Sequence, residues 1–92
     1  MTKYELLLPT GDATLRRYER TFDQLTIEIT LWDESTKIVT AYGVTKLIDV
    51  GTWEVDALVH VPELDGDGLS GYGIIDTEDN LTLQFTAQRI DV

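Results

Sequence analysis

The chain has 92 residues and a formal net charge of -10, with 7 Lys and Arg residues against 17 Asp and Glu residues. Its length fits one domain, its 42% of hydrophobic residues is too high for a disordered chain, and the absence of cysteine excludes disulfides, thiolate nucleophiles and zinc–thiolate sites. The acidic composition also disfavours direct binding to nucleic acid or to anionic membranes, because Lys and Arg carry the affinity for phosphate.

The N-terminal part is predicted to hold one strand and one short helix. Residues 3–8, which contain the apolar run of residues 6–8, end at the turn-forming residues 9–12 and are interpreted as a first strand. From residue 13 to 24, large apolar side chains recur at helical spacing, and Asp12 precedes them as a favourable N-cap. We therefore expect a helix at about 13–24, although Thr21 and the aromatic residues would also suit a strand.

A strand with regular alternation follows. Apolar and polar residues alternate from Leu25 to Trp32, which is the pattern of a half-buried strand. Residues 33–36 then form a polar turn that leads into a second strand. Pairing across this turn gives a predicted register that sets Leu31, Ile29 and Ile27 opposite Ile38, Thr40 and Tyr42.

The second run, residues 37–50, is long for one strand and contains Gly43, where we expect a bulge or a bend. The dipeptide Gly51-Thr52 has the leading glycine of a type II′ hairpin turn. A two-residue loop there pairs residues 42–50 with residues 53–61, and every pair on one face is apolar except that of Lys46 with Ala57. The same register sets Asp49 opposite Glu54, a like-charge pair that counts slightly against it. Turn type and hydrophobic pattern thus predict the same hairpin.

The C-terminal part is predicted to add two strands. Pro62 ends the preceding strand, since proline cannot donate to a central ladder, and an acidic loop follows. Strands at 69–75 and 81–88 are joined by a polar turn at 76–80. With six or seven strands and short turns, the sequence predicts a mainly β fold, a small antiparallel meander forming a barrel or a sandwich.

Charge is distributed unevenly along the chain. Residues 1–46 hold six basic and seven acidic side chains, whereas residues 47–92 hold ten acidic side chains and one basic side chain, Arg89. An acidic surface of this kind favours encounter with a basic partner.

Three arginines form a local basic cluster. On the predicted helix, Arg16 and Arg20 lie one turn apart, and Arg17 lies beside Arg20. Their guanidinium groups could anchor an acidic group of a partner, or they could neutralise the acidic half of the protein itself.

Catalytic residue types are scarce. His60 is the single histidine, and neither Ser35 nor Ser70 lies in a Gly-x-Ser-x-Gly setting, so no catalytic triad is indicated. Because the chain has 17 acidic residues, pairs of carboxylates are expected by chance and give no evidence for general acid–base catalysis. We expect a protein that is not an enzyme and holds no cofactor, with His60 as an isolated histidine on the solvent face of its strand.

A metal site receives weak support. Asp65 and Asp67 alternate with glycines as in the first half of a calcium-binding loop. If Gly68 is the loop glycine, the position that requires a bidentate Glu is Ile74. We therefore predict no metal site and interpret the segment as an acidic turn.

Two aromatic residues are predicted outside the buried face, Trp32 and Tyr72. An exposed tryptophan is a common hot spot of protein interfaces, and Tyr72 lies between Gly71 and Gly73, where a partner could approach closely. The alternative is that the curled sheet covers both rings as ordinary core.

The sequence therefore predicts a non-enzymatic interaction module that binds another protein through an acidic surface and exposed aromatics. Its candidate partner-binding residues are Trp32, Tyr72, Arg16, Arg17, Arg20, Glu54 and Asp56. One alternative is a small-ligand binder with a shallow pocket lined by Trp32, Tyr42, Trp53 or Tyr72. Another is an acidic protein that imitates nucleic acid.

Two further expectations concern assembly and location. Long β-rich runs allow a homodimer through pairing of edge strands. No apolar run approaches the ~20 residues of a membrane span, and no secretory signal is recognisable at the start. We therefore expect a cytoplasmic protein without a membrane partner.

Overall fold

A computed structural model describes residues 4–51 and 54–92, apart from the side chain of Asp12, and its regular secondary structure is almost entirely antiparallel β-sheet. A 3-10 helix spans Pro62–Leu64. The eight strands are β1 (Glu5–Thr21), β2 (Gln24–Thr30), β3 (Thr36–Tyr42), β4 (Lys46–Asp49), β5 (Glu54–His60), β6 (Ser70–Ile75), β7 (Leu81–Ala87) and β8 (Arg89–Asp91). The mainly β prediction is confirmed, and the described residues form eight strands in place of the six or seven predicted.

The strands form one sheet that folds back on itself. Their order is β4-β7-β6-β5-β1-β2-β3-β8, so β4 and β8 lie at the two ends. The sheet does not close into a barrel, and the fold is a sandwich-like arrangement of two layers. Strand β1 joins the layers, because residues 5–14 pair with β5 and residues 14–21 pair with β2.

Two bends carry the chain between the layers. The first separates β3 from β4 at Gly43, whose φ is 70°, and the second separates β7 from β8 at Gln88. The bends are joined by backbone hydrogen bonds, from the Gln88 N–H to the Tyr42 carbonyl (2.8 Å) and from the Thr45 N–H to the Thr86 carbonyl (3.1 Å). The bend predicted at Gly43 is therefore confirmed.

The main core lies between the layers. The alternation predicted for β2 is confirmed, because Leu25, Ile27 and Ile29 are fully buried. They belong to a cluster that includes Val39, Ala41, Val55, Leu58, Ile74, Leu83, Phe85 and Ala87. A second, smaller cluster contains Ala57, Val59, Val61 and Ile75, against which Tyr4, Leu64 and Leu81 pack. Strand β5 contributes to both clusters and is therefore buried on both faces.

The helix predicted at 13–24 is wrong, since most of this segment belongs to β1. A β-bulge between Leu15 and Arg17 inserts Arg16 into the strand. Leu15 and Tyr18 consequently both pack against the main core although they are three residues apart. The bulge thus converts the two-residue period of a strand into a spacing that imitates a helix. Phe22, which the helix would have buried, is 92% exposed.

The β2–β3 hairpin is present, but its predicted register is wrong by three residues. Thr30 pairs with Thr36, and Ile29 pairs with Lys37 in place of Thr40. When the pairing register shifts by an odd number of residues, the side chains of the strand exchange their two faces. Val39 therefore faces the core, whereas Ile38 is 52% exposed.

The hairpin predicted around residues 51 and 52 is also wrong. Strand β4 pairs with β7, so that Ile48 lies opposite Gln84. Strand β5 pairs with β1 and β6. The bend at Gly43 separates β3 from β4, and β5 lies between β1 and β6 in the sheet. Thr52 and Trp53 lie outside the described residues.

Candidate functional site

Trp32 lies on an ordered turn, which we call the Trp32 turn (residues 31–35), and its side chain is 77% exposed. The Leu31 N–H donates to the Ser35 carbonyl (2.8 Å), and the Glu34 N–H donates to the Leu31 carbonyl (2.9 Å). The Asp33 carboxylate accepts from the Ser35 N–H (3.0 Å) and from the Ser35 hydroxyl. These bonds hold the pKa of Asp33 below its ordinary value. Trp32 therefore follows Leu31, which packs against the main core, and precedes the exposed acids Asp33 and Glu34.

The bulge in β1 directs two arginines to one acid. The Arg17 Nη2 lies 3.2 Å from Glu28 Oε1, and the Arg16 Nε lies 3.9 Å from Glu28 Oε2. The hydrogen bond to Glu28 raises the pKa of Arg17. Ile38 lies opposite Glu28 on the next strand. Because both arginine side chains are about two-thirds exposed, at 65% and 66%, they contribute little to stability and can reach a partner.

Arg20 is separated from the other two arginines. Its Nη2 donates to the Val44 carbonyl (3.0 Å) and lies 3.5 Å from the Thr45 carbonyl. Both carbonyls belong to the bend between β3 and β4. Arg20 therefore stabilises the bend that carries the chain from one layer to the other. Because this segment is a strand, Arg16 and Arg20 do not have the helical arrangement that the sequence predicts.

Tyr72 is half-buried at the end of the main core. Its ring centroid lies 5.7 Å from that of Phe85 and 6.0 Å from that of His60. The glycines on either side are covered by the chain itself, with Leu64 against Gly71 and Leu81 against Gly73. Side chains of the protein itself therefore occupy the space beside these glycines, where the sequence had suggested the approach of a partner.

The aromatic residues proposed for a ligand pocket do not converge. Tyr42 lies at the open end of the β2–β3 hairpin, where the Arg89 guanidinium lies 4.3 Å from its ring centroid. Trp32 lies at the turn end of the same hairpin, at least six residues or roughly 20 Å away along β3. Tyr72 packs in the core, and Trp53 lies outside the described residues.

Glu54 and Asp56 lie beside the turn that joins β6 to β7. The Thr77 hydroxyl donates to Glu54 Oε2 (3.3 Å), and the β5–β6 register pairs Ala57 with Ile75, next to Asp56 and Asp76. We call the resulting group, Glu54, Asp56, Asp76, Glu78 and Asp79, the acidic edge. The turn is well ordered, since Asp76 Oδ1 accepts from the N–H groups of Glu78 and Asn80 (both 2.9 Å), which lowers the pKa of Asp76.

The Trp32 turn and the acidic edge border the same part of β1. Thr14 pairs with Thr30 on one side and with Glu54 on the other. With strands about 4.8 Å apart, the main chains of Thr30 and Glu54 lie roughly 10 Å from each other. Directly paired residues point to the same face of a sheet. Thr30, which precedes the Trp32 turn, and Glu54 of the acidic edge therefore lie on the same face of the sheet, on either side of Thr14.

His60 is not an isolated histidine on the solvent face. Its Nδ1 lies 2.9 Å from Glu5 Oε2, and its Nε2 lies 3.0 Å from both oxygens of Asp65. Asp65 Oδ1 also accepts from the Gly71 N–H (2.7 Å). Asp65 is thus engaged with the protein itself, and within residues 4–51 and 54–92 no group of three or more His, Cys, Asp or Glu side chains could hold a metal ion.

No protein-family model, curated protein or solved structure matches the chain. The part of the chain that the structure describes contains no helix long and apolar enough to cross a membrane.

Sequence reasoning missed two parts of this surface and one contact elsewhere. The sequence predicts a polar turn at 76–80 and an acidic second half of the chain, but it does not predict that this turn lies beside Glu54. The predicted register places Ile38 on the buried face, whereas it is exposed. The contact of Glu5 with His60 depends on the β1–β5 pairing, for which the sequence offers no local turn signal.

Proposed function

We propose that this protein is a non-enzymatic interaction module that binds a basic protein through the Trp32 turn and the acidic edge. The observation that carries the proposal is the 77% exposure of Trp32 on a hydrogen-bonded turn. This turn follows Thr30, which pairs with the same residue of β1 as Glu54 does. A rigid aromatic side chain supplies contact area at a low cost in conformational entropy. We place the module in the cytoplasm, which the cysteine-free sequence supports.

The chemistry of the surface favours a partner rich in Lys and Arg. Asp33 and Glu34 directly follow the tryptophan, and the acidic edge lies in a segment without basic residues. Opposite charge accelerates the encounter of two proteins, and the face of a tryptophan attracts a lysine or arginine side chain. Ile38, which is 52% exposed, offers apolar area on the adjoining strand.

The predicted partner-binding residues differ in the support they receive. Trp32, Glu54 and Asp56 lie on the proposed surface, and Arg16 and Arg17 lie beside it in contact with Glu28. Arg20 and Tyr72 contact the protein itself. We therefore assign them a structural role.

Trp32→Ala is expected to weaken binding of basic proteins by about 30-fold or more, because hot-spot side chains contribute about 2 kcal/mol or more. The matched control is Phe22→Ala, which removes an aromatic ring that is 92% exposed at the opposite end of β2. Immobilised protein would be incubated with lysate, and bound proteins would be quantified for both variants. We expect loss with Trp32→Ala and retention with Phe22→Ala.

Added salt separates the proposal from its alternatives. Binding of a basic partner should weaken as the ionic strength rises from 50 to 500 mM, since salt screens exposed charges. Binding by an apolar pocket should be insensitive to salt, and the separation of the three described aromatic candidates gives such a pocket less support. Equal retention by both variants, or capture of acidic proteins, would contradict the proposal. A dimeric mass in size-exclusion chromatography would instead indicate pairing through an edge strand.

A further inference from the structure

We propose that the protonation of His60 controls how firmly the start of β1 is attached to the rest of the sheet. We call the contacts of His60 with Glu5 and Asp65 the His60 clasp. In its protonated form the imidazole ring joins the start of β1 to β5 and to the loop of residues 62–69, and loss of the proton releases the start of β1. This inference is independent of the proposed function, because it concerns the opposite end of β5 from Glu54.

The clasp is built from three separate parts of the chain. Glu5 lies opposite His60 in the β1–β5 pairing, and Asp65 follows the 3-10 helix. The two carboxylates contact different ring nitrogens, at 2.9 Å for Nδ1 and 3.0 Å for Nε2. They lie on opposite sides of the ring and so cannot share one metal ion with it. The geometry is that of a ring that donates two hydrogen bonds.

Two donors require a protonated ring. A neutral imidazole has one N–H group, and its other nitrogen accepts. In this site the accepting nitrogen would face a carboxylate, which is itself an acceptor when ionised. The neutral ring therefore loses one of its two bonds, whereas the imidazolium ion keeps both.

The charged groups that contact the ring are both acidic. They are Glu5 from β1 and Asp65 from the loop, while β6 contributes the uncharged ring of Tyr72, 6.0 Å away between centroids. The hydrogen bond to Glu5 is the largest cause that raises the pKa of His60 above 6.5; partial burial opposes it, and Asp65 adds to it.

Glu5 is the partner that detaches. Asp65 is anchored a second time by the Gly71 N–H, at 2.7 Å, and this bond is the largest cause of its lowered pKa. The Glu5 side chain is 69% exposed, against 40% for Asp65. Water can therefore replace the ring at Glu5 at little cost, whereas Asp65 stays attached to the loop and to β6.

The direction of the pH dependence follows from the raised pKa. A group whose pKa is higher in the folded protein than in the unfolded chain stabilises the fold below the unfolded value. The contribution of His60 is therefore complete below a pH of about 6.5, and it is lost as the pH rises through the folded pKa. Release occurs on the alkaline side.

The experiment follows the single histidine by NMR together with the amide protection of the start of β1. Protection factors of residues 5–8 should fall several-fold across the titration of His60, while those of β2 stay constant. Glu5→Gln keeps the size of an exposed side chain, and it should lower the His60 pKa and abolish most of the pH-dependent change in protection. Asp65→Asn should also lower the His60 pKa.

Two controls keep the test decisive. His60→Gln should give protection factors at residues 5–8 that do not depend on pH, and unchanged protection in β2 would show that each variant is folded. The clasp would be refuted by constant protection at residues 5–8 across the titration, or by a His60 pKa that Glu5→Gln leaves unchanged.

Discussion

Ile27→Ala is expected to lower the free energy of unfolding by about 2–5 kcal/mol. Ile27 is 0% exposed in the middle of β2, where it lies between Tyr18 and Val39 on the neighbouring strands. Removing three carbon atoms there loses buried apolar area and leaves a cavity that the surrounding strands fill only in part. Urea unfolding monitored by tryptophan fluorescence or circular dichroism measures the change.

The matched control is Ile38→Ala. The two isoleucines lie on adjacent strands of the same hairpin, but Ile38 is 52% exposed. We expect its substitution to change the free energy of unfolding by about 0.5 kcal/mol or less. The register predicted from the sequence places both residues in the core and so predicts a large loss for each. Similar losses for the two variants would contradict the structure described here.

Gly71→Ala is expected to destabilise the protein by about 1–3 kcal/mol, which is the usual cost of overpacking. A Cβ atom at this position would lie 2.3 Å from Leu64 Cβ and 2.6 Å from the Val61 carbonyl oxygen. Neither atom is the free end of a flexible side chain. The segment that contains the 3-10 helix would have to move away from β6, and the smaller core cluster would loosen. Thermal and urea unfolding both measure this loss.

Gly66→Ala is the corresponding control in the same loop. A Cβ atom there has no neighbour within 4 Å, and the φ of Gly66 is not in the left-handed region. The substitution should therefore be close to neutral, or stabilising by about 0.4–1 kcal/mol through reduced entropy of the unfolded chain. If Gly66→Ala cost as much as Gly71→Ala, the packing of Leu64 on Gly71 would not be the cause.

The arrangement of β1 shows how a local pattern can mislead. Leu15 and Tyr18 have helical spacing in the sequence, and both side chains do face the core. The inference that a single element buries them was correct. The prediction of a helix was wrong. The bulge at Arg16 inserts one extra residue, so that two core-facing residues of the strand lie three positions apart instead of two.

The alternation along β2 leaves two outcomes for Trp32, an exposed ring and a ring covered by the curled sheet. Trp32 is opposite in phase to Leu25, Ile27 and Ile29, and the structure places it, 77% exposed, on the turn that follows β2. Arg20 and Tyr72 were not predictable in the same way. Their contacts are with Val44 and Phe85, which are distant in sequence and are brought close by the folding of the sheet.

By itself the sequence determined the local features of this protein. The acidic charge, the β class, the strands β2, β6 and β7 and the turn at 76–80 follow from composition, alternation and turn-forming residues within a few positions of one another. Tertiary structure alone decided the pairing of strands that no short turn joins, such as β1 with β5, β4 with β7 and β3 with β8. An apolar face shows that a strand must be covered, but many strands could cover it with similar apolar area. The choice between β7 and β5 as the partner of β4 was therefore made by the bend at Gly43 and by the packing of both layers.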